Sequence, residues 1–151
     1  MAVETTTIHA SAVLLGRKAA LIRGPAGSGK SQLVWELLQA AAQGALPFAR
    51  LVGDDRVHLQ AHSDRLLVRS APALAGMLEI RGLGIRRLTY EPLAVVGLVV
   101  DLAAEDAVRH PSSEARQVAI DGVCLPRLAV AARTPAQSMV LAVLKGPTAG
   151  I

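Results

Sequence analysis

Residues Gly24-Pro-Ala-Gly-Ser-Gly-Lys-Ser31 form a complete G-x-x-x-x-G-K-[ST] loop, and this one feature dictates a strand, a tight turn and a helix in that order. Such a loop grips a chain of phosphates by converging backbone N–H groups on it, which requires positions without Cβ atoms, here Gly24, Gly27 and Gly29. Both flanks fit. Upstream, Ala19-Ala-Leu-Ile-Arg23 reads as a short buried strand, and downstream Leu33, Val34, Leu37, Leu38 and Ala41 fall on one helical face. The helix N-terminus then faces the phosphates. The expectation is a bound nucleoside triphosphate held by Gly24, Pro25, Ala26, Gly27, Ser28, Gly29, Lys30 and Ser31. Lys30 would meet the β/γ oxygens and the Ser31 hydroxyl would hold Mg²⁺.

With 151 residues, 52% apolar and 19% charged, the chain is sized for one domain over residues 1–151, with a core over 5–130 and a C-terminal helix over 134–146. Trp35, Phe48 and Tyr90 are the only aromatics, so the core must be aliphatic and stacking platforms for single-stranded nucleic acid are absent. The net charge of +4 is dispersed, with no basic run beyond Arg86-Arg87, which suits phosphates or an acidic protein partner rather than nucleic acid. Cys124 is the only cysteine, which excludes an internal disulfide and a Cys-cluster zinc site; in an apolar segment it reads as inert core. The first residues lack the pattern of a signal peptide, and no stretch reaches about eighteen uninterrupted apolar residues. A soluble cytoplasmic protein with no membrane partner is the default.

Along the chain, residues Thr5 to His9 and Ala12 to Gly16 read as strands, and Ala49 to Gly53 as a strand ending in the acidic pair Asp54-Asp55. Arg56 to Gln60 and Arg65 to Arg69 alternate polar with apolar around the turn residues His62-Ser-Asp64, a hairpin. Leu78 to Arg81, Leu93 to Leu102, Arg116 to Ile120 and Cys124 to Val130 are further strands. Thr134-Pro-Ala-Gln137 has the form of a capping box opening a helix that Gly146 closes. Many strands around few helices predict an α/β phosphate-loop domain with a mixed, mostly antiparallel sheet and its helices on one side, not the βαβ alternation of a doubly wound fold.

Phosphoryl transfer asks for a phosphate cradle, Mg²⁺ ligands, a group that orients or deprotonates the acceptor, and often an arginine. Asp54 and Asp55 could reach Mg²⁺ or accept a proton from a hydroxyl; the alternative is a solvated turn with Asp55 paired to Arg56. Glu79, just before Arg81 and the Gly82-Leu-Gly84 pair, could complete a metal site or be a surface carboxylate beside a turn. His9 is open between a structural and a catalytic role, and His58, His62 and His110 show no metal-ligand spacing.

Taken together, His9, the Gly24–Ser31 loop, Leu51-Val-Gly-Asp-Asp55 and Leu78-Glu-Ile-Arg-Gly-Leu-Gly-Ile85 resemble the catalytic domain of HPr kinase/phosphorylase over roughly residues 5 to 130. The Glu79–Ile85 segment is the most specific part of the likeness. The resemblance implies a fold of the phosphoenolpyruvate carboxykinase-like type and transfer of phosphate from ATP, with Mg²⁺, to a serine of the phosphocarrier protein HPr. It implies Asp55 as general base, Lys30 neutralising the transferring phosphate, and Ser31 and Glu79 at the metal, where Asp54, read above as able to reach Mg²⁺, would join them. His9 would support the phosphate site from the neighbouring strand. Arg109 would be the catalytic arginine, with Arg116 as the other candidate. The family's Pro-x-Arg-Pro-Gly-Arg-Asn loop, associated with dephosphorylation, is reduced here to Pro126-Arg-Leu-Ala-Val130, without its second arginine and glycine. The kinase parts are retained and the phosphorylase loop is not.

Family members also carry a separate N-terminal domain, whereas eight residues precede His9, as in a short form containing the catalytic domain alone. They assemble as hexamers, which implies a homo-oligomer here. The stripe Met139, Val140, Val143 and Leu144 either packs on its own subunit or forms that contact. Competing readings are a small-molecule or phosphoenolpyruvate carboxykinase-like phosphotransferase, for which no metabolite-binding arginine cluster is seen, and a non-catalytic ATP-sensing module.

Overall fold

The computed structural model describes residues 5–146. The chain runs through β1 (Thr6–Ile8), β2 (Ser11–Leu15), β3 (Lys18–Arg23), α1 (Lys30–Ala42), β4 (Ala49–Gly53), β5 (Val57–His62), β6 (Arg65–Ser70), a 3-10 turn (Pro72–Leu74), β7 (Met77–Ile80), β8 (Gly84–Arg87), β9 (Ala94–Asp101), β10 (Gln117–Ile120), β11 (Val123–Ala129) and α2 (Ala136–Lys145). Nine strands form one curled sheet in the order β1-β5-β6-β9-β3-β2-β4, with β11 also on β9 and β10 on β11; β7 and β8 form a separate hairpin. All pairings in the large sheet are antiparallel except those of β9 with β3 and with β11. The expected mixed, mostly antiparallel architecture is present.

Alternation along the central strands sorts their side chains into two apolar layers. Ala20 and Ile22 of β3, with Leu98 and Val100 of β9, face Leu33, Val34 and Leu37 of α1 and Val140 of α2. Both helices therefore lie on one face of the sheet. On the other face Leu21 and Val99 pack against Val57, Leu59, Leu66 and Val68 of the β5–β6 hairpin, so the curl of the sheet covers its own second face. A register shift between Ala19 and Ala20, opposite Val96 and Leu98, lets Val96 and Val99 share that second layer although three positions separate them.

Several local expectations are corrected. The capping box does not form: Pro135, not Thr134, is the N-cap residue, no side-chain cap bond is made, and Thr134 N–H is used in a turn to Ala131 O at 3.2 Å. Gly146 follows α2 in an extended conformation, φ 172°, rather than the left-handed closure expected of a terminal glycine. Cys124 is exposed, because β11 turns Val123 and Leu125 inward and the residue between them outward. Strand β8 was not anticipated; all four of its residues are exposed, so it carries no apolar alternation. The α2 stripe divides, with Val140 fully buried and Val143 and Leu144 exposed. Among the described residues no helix is long and apolar enough to cross a membrane.

Candidate active site

The parallel strands β3 and β9 end in register, Arg23 opposite Asp101, and β11 ends on the far side of β9 with Ala129 opposite the same Asp101. Ligands in α/β sheets sit beyond the carboxyl ends of parallel strands, and the phosphate loop leaves β3 at that edge. Gly27 and Gly29 have φ 78° and 99°, values that side chains with a Cβ rarely adopt, and Gly29 serves as the N-cap of α1. Lys30 Nζ bends back over the loop and donates to Gly24 O at 2.8 Å and Pro25 O at 3.1 Å. A cationic amine and the first turn of a 13-residue helix thus converge on one side of the loop.

The carboxylate at the end of β4 is the hub of the site. Asp54 is 4% exposed. Its Oδ1 accepts the Ser31 hydroxyl at 2.7 Å and the Ser11 hydroxyl at 2.6 Å, and its Oδ2 accepts the Glu79 backbone N–H at 3.3 Å. Gly53 is what lets β4 deliver Asp54 to this point: a Cβ there would lie 2.9 Å from Val57 Cγ1 and 3.0 Å from Ser70 Cβ. A register shift in the β2–β4 pairing at Ala12 and Val13 falls at the same place.

The Ser31 hydroxyl of α1 and the Glu79 backbone N–H of β7 therefore both meet Asp54 after β4, while the Glu79 side chain is exposed. All three donors to Asp54 are neutral, and it pairs with no cation among the described residues. A buried carboxylate with no cation beside it among the described residues, flanked by the Ser11 and Ser31 hydroxyls, offers hard oxygen donors of the kind Mg²⁺ takes. No group of three His, Cys, Asp or Glu side chains is arranged around a common metal position among the described residues. Mg²⁺ commonly uses one or two protein oxygens, with waters and phosphates completing its shell.

Asp55 is exposed and held at φ 68°, and Arg56 N–H turns back to Asp54 O at 2.8 Å. It forms no ion pair with Arg56 among the described residues, so the surface-pair alternative does not form. His9 is exposed in the link between β1 and β2, two residues before Ser11. Arg109 and Arg116 lie in the long connection from β9 to β10; Arg109 is exposed, and neither side chain makes a hydrogen bond or ion pair among the described residues.

Sequence reading missed an ion network directly behind the loop. Arg23, the residue before Gly24, grips Asp101 with two bonds of 2.7 and 2.9 Å. Arg127 of β11 adds a 2.6 Å bond to Asp101 and two bonds of 2.8 and 3.0 Å to Asp106. Burial pushes the Asp101 carboxyl up, but the hydrogen bonds and charges of Arg23 and Arg127 outweigh it and leave the group below the usual carboxylate range. The Arg127 guanidinium likewise lowers Asp106, and both acids raise Arg127. The network locks the ends of β3, β9 and β11 side by side under the loop. Its one sequence signal is an acid closing the long apolar run of β9. Ser11, fully buried and bonded to a residue 43 positions away, had none.

The family model of the HPr serine kinase C-terminal domain matches residues 1–90, the stretch that holds His9, the loop, both aspartates and Glu79. The HPr kinase/phosphorylase of Geobacillus thermodenitrificans is 32% identical over 140 residues, covering 85% of this chain and 43% of that protein. That of an Exiguobacterium species is 41% identical over 81 residues, 53% of this chain and 24% of its own length. The chain thus spans less than half the length of the curated relatives it matches. Among solved structures, the Hpr(Ser) kinase/phosphatase from Coxiella burnetii superposes with a TM-score of 0.73 over 93% of this chain and 94% of that one, at 20% identity, a likeness of fold. With the family model covering more than half of its residues, the chain belongs to the HPr serine kinase C-terminal domain family.

Proposed function

We propose that this chain acts as a Mg-ATP-dependent protein kinase domain that phosphorylates a serine of the phosphocarrier protein HPr. The observation that carries the reading is the convergence of the Ser31 hydroxyl and the Glu79 backbone on the buried Asp54, with the exposed Asp55 next in the chain.

In this reading the loop amides and Lys30 hold the β- and γ-phosphates, Lys30 exchanging its bonds to Gly24 O and Pro25 O for phosphate oxygens. Ser31, Asp54 and Glu79 hold Mg²⁺, which when bound supplies charge neutralisation on the phosphate oxygens. Asp55, solvent-facing and without an ion pair among the described residues, accepts the proton of the incoming serine hydroxyl as the serine oxygen bonds to the γ-phosphorus and the bond to the β-phosphate oxygen breaks, releasing ADP. His9 supports the phosphate from the β1–β2 link, and Arg109, carried on the long connection from β9 to β10, neutralises charge that develops in transfer.

The exposed Val143 and Leu144 provide the contact surface of a homo-oligomer. The reading also places the protein in the cytoplasm, where ATP and HPr are found together. Incubation with HPr, Mg²⁺ and labelled ATP should yield phosphoserine on HPr; no label over a reasonable range of conditions sinks the proposal. Run backwards with phosphate and phosphorylated HPr, the reaction should be much slower, since β11 and the segment after it lack the arginine–glycine pattern of the dephosphorylation loop.

A further inference from the structure

On the outer face of the strands β1, β5 and β6 lies an open cavity of about 370 Å³, lined by Thr5, His58, Arg69, Ser70 and Pro72. Strand pairing builds it. Thr7 stands opposite His58 across β1 and β5, and His58 stands opposite Arg69 across β5 and β6, so the three side chains form one row over the strands. Their neighbours Val57, Leu59 and Val68 point the other way, into the core, which turns this row outward. Ser70 at the end of β6, only 8% exposed, and Thr5 just ahead of β1 add their hydroxyls to the lining. None of the residues from Gly24 to Ser31 lines it, nor do Asp54, Asp55 or Glu79.

We infer that this cavity is a second binding site, separate from the phosphate loop, and that its ligand is a small molecule bearing an oxyanion, a carboxylate or a phosphate. Every polar side chain on the lining carries an N–H or O–H donor, and no carboxylate lines it among the described residues. Arg69 makes no ion pair among the described residues, so its planar fork of donors is free to meet two oxygens of one anion. The Thr7 hydroxyl lies 2.8 Å from His58 Nδ1. A hydroxyl that donates there leaves the ring proton on Nε2, as a further donor for a ligand. The Thr5 and Ser70 hydroxyls can rotate to donate as well, which makes four donor side chains on one cavity. The volume falls within the range of small-molecule sites, roughly 300–1,000 Å³. It is larger than one oxyanion head needs, and the Pro72 ring supplies an apolar wall for a small organic body.

The test follows the His58 ring by NMR of the whole chain at fixed pH, its signal assigned by its loss in His58→Gln. Sodium sulfate, sodium malonate or sodium chloride is added at matched ionic strength. Sulfate stands in for a phosphate and malonate for a carboxylate. A saturable shift with sulfate or malonate, absent with chloride, is the expected result, and the tighter binder of the two identifies the class. Arg69→Gln, a change at an exposed position, should weaken that binding at least about tenfold. Sulfate also suits the phosphate loop, where the Gly29 amide would report it, and whatever response Gly29 shows should be the same in Arg69→Gln as in the wild type. Four results overturn the inference: no saturable shift at His58, an equal shift with chloride, a shift that Arg69→Gln does not weaken, and a parallel weakening at Gly29. The last would trace the effect to the phosphate loop or to the fold as a whole.

Discussion

Ser31 and Asp54, 23 positions apart in the chain, are joined by a hydrogen bond of 2.7 Å in which the hydroxyl donates to Asp54 Oδ1. The bond ties the first turn of α1 to the end of β4, and through the Glu79 N–H it reaches β7 as well. Asp54→Asn keeps the shape but removes the charge, and its amide nitrogen would confront donors. The two serine hydroxyls can turn to accept, whereas the Glu79 N–H cannot. The expected cost is about 1–3 kcal/mol in urea unfolding. Calorimetry should also show that Mg²⁺ no longer strengthens ATP binding; a retained Mg²⁺ dependence would take Asp54 out of the metal site.

Asp55 can be tested without disturbing its backbone. Its φ of 68° lies in the left-handed region that asparagine tolerates well, so Asp55→Asn removes the base and leaves the turn. Transfer to HPr should fall by about 10²–10⁴-fold, with ATP affinity unchanged in equilibrium titration. An equal loss of binding would mean that Asp55 belongs to the nucleotide site rather than to proton transfer.

The loop glycines should not be equivalent. At Gly24 a Cβ would stand 2.5 Å from Ser28 Oγ and 3.1 Å from Leu102 O, and the carbonyl is fixed by the end of β9. Gly27 has open space around it and only its φ of 78° to lose. Gly24→Ala should therefore destabilise by roughly 1–3 kcal/mol through overpacking. Gly27→Ala should cost about 1 kcal/mol from its backbone alone. Thermal melts of the two variants would reveal the order, and the reverse order would contradict the packing described here.

What the sequence disclosed follows the range of each interaction. The loop, the helix after it and the β5–β6 hairpin are local patterns, and Ser63 and Asp64 adopt the positive φ values, 49° and 64°, that their turn requires. Asp54 and Asp55 were visible as acids ending a strand, although only the fold shows that one is buried and the other exposed. Ser11 and the Arg23–Asp101–Arg127 network depend on contacts across 26 to 78 positions, and no spacing rule marks them. Cys124 sits in an apolar run, which reads as buried on both faces, but β11 carries Val123 and Leu125 inward and sends Cys124 between them to solvent. Thr134 has the right neighbours for a cap, but a turn to Ala131 consumes the geometry that capping needs.

The same network predicts an acid-labile element under the phosphate loop. Burial alone would raise the Asp101 carboxyl, but its bonds to Arg23 and Arg127 hold it below the ordinary range, so the folded chain takes up this proton less readily than the unfolded one. The unfolded state then binds more protons, and stability rises with pH across the window. The contribution is complete above the unfolded value near ~3.9 and is lost as pH falls below it through the folded value. Asp106 is lowered in the same direction by Arg127. Asp101→Asn strips two arginines of a mostly buried partner and should cost on the order of 3 kcal/mol at neutral pH. Its denaturation midpoint should also fall less steeply than the wild type's as the pH drops below about 4. Parallel curves for the two proteins over that window would show that the Asp101 carboxylate is not what acid removes.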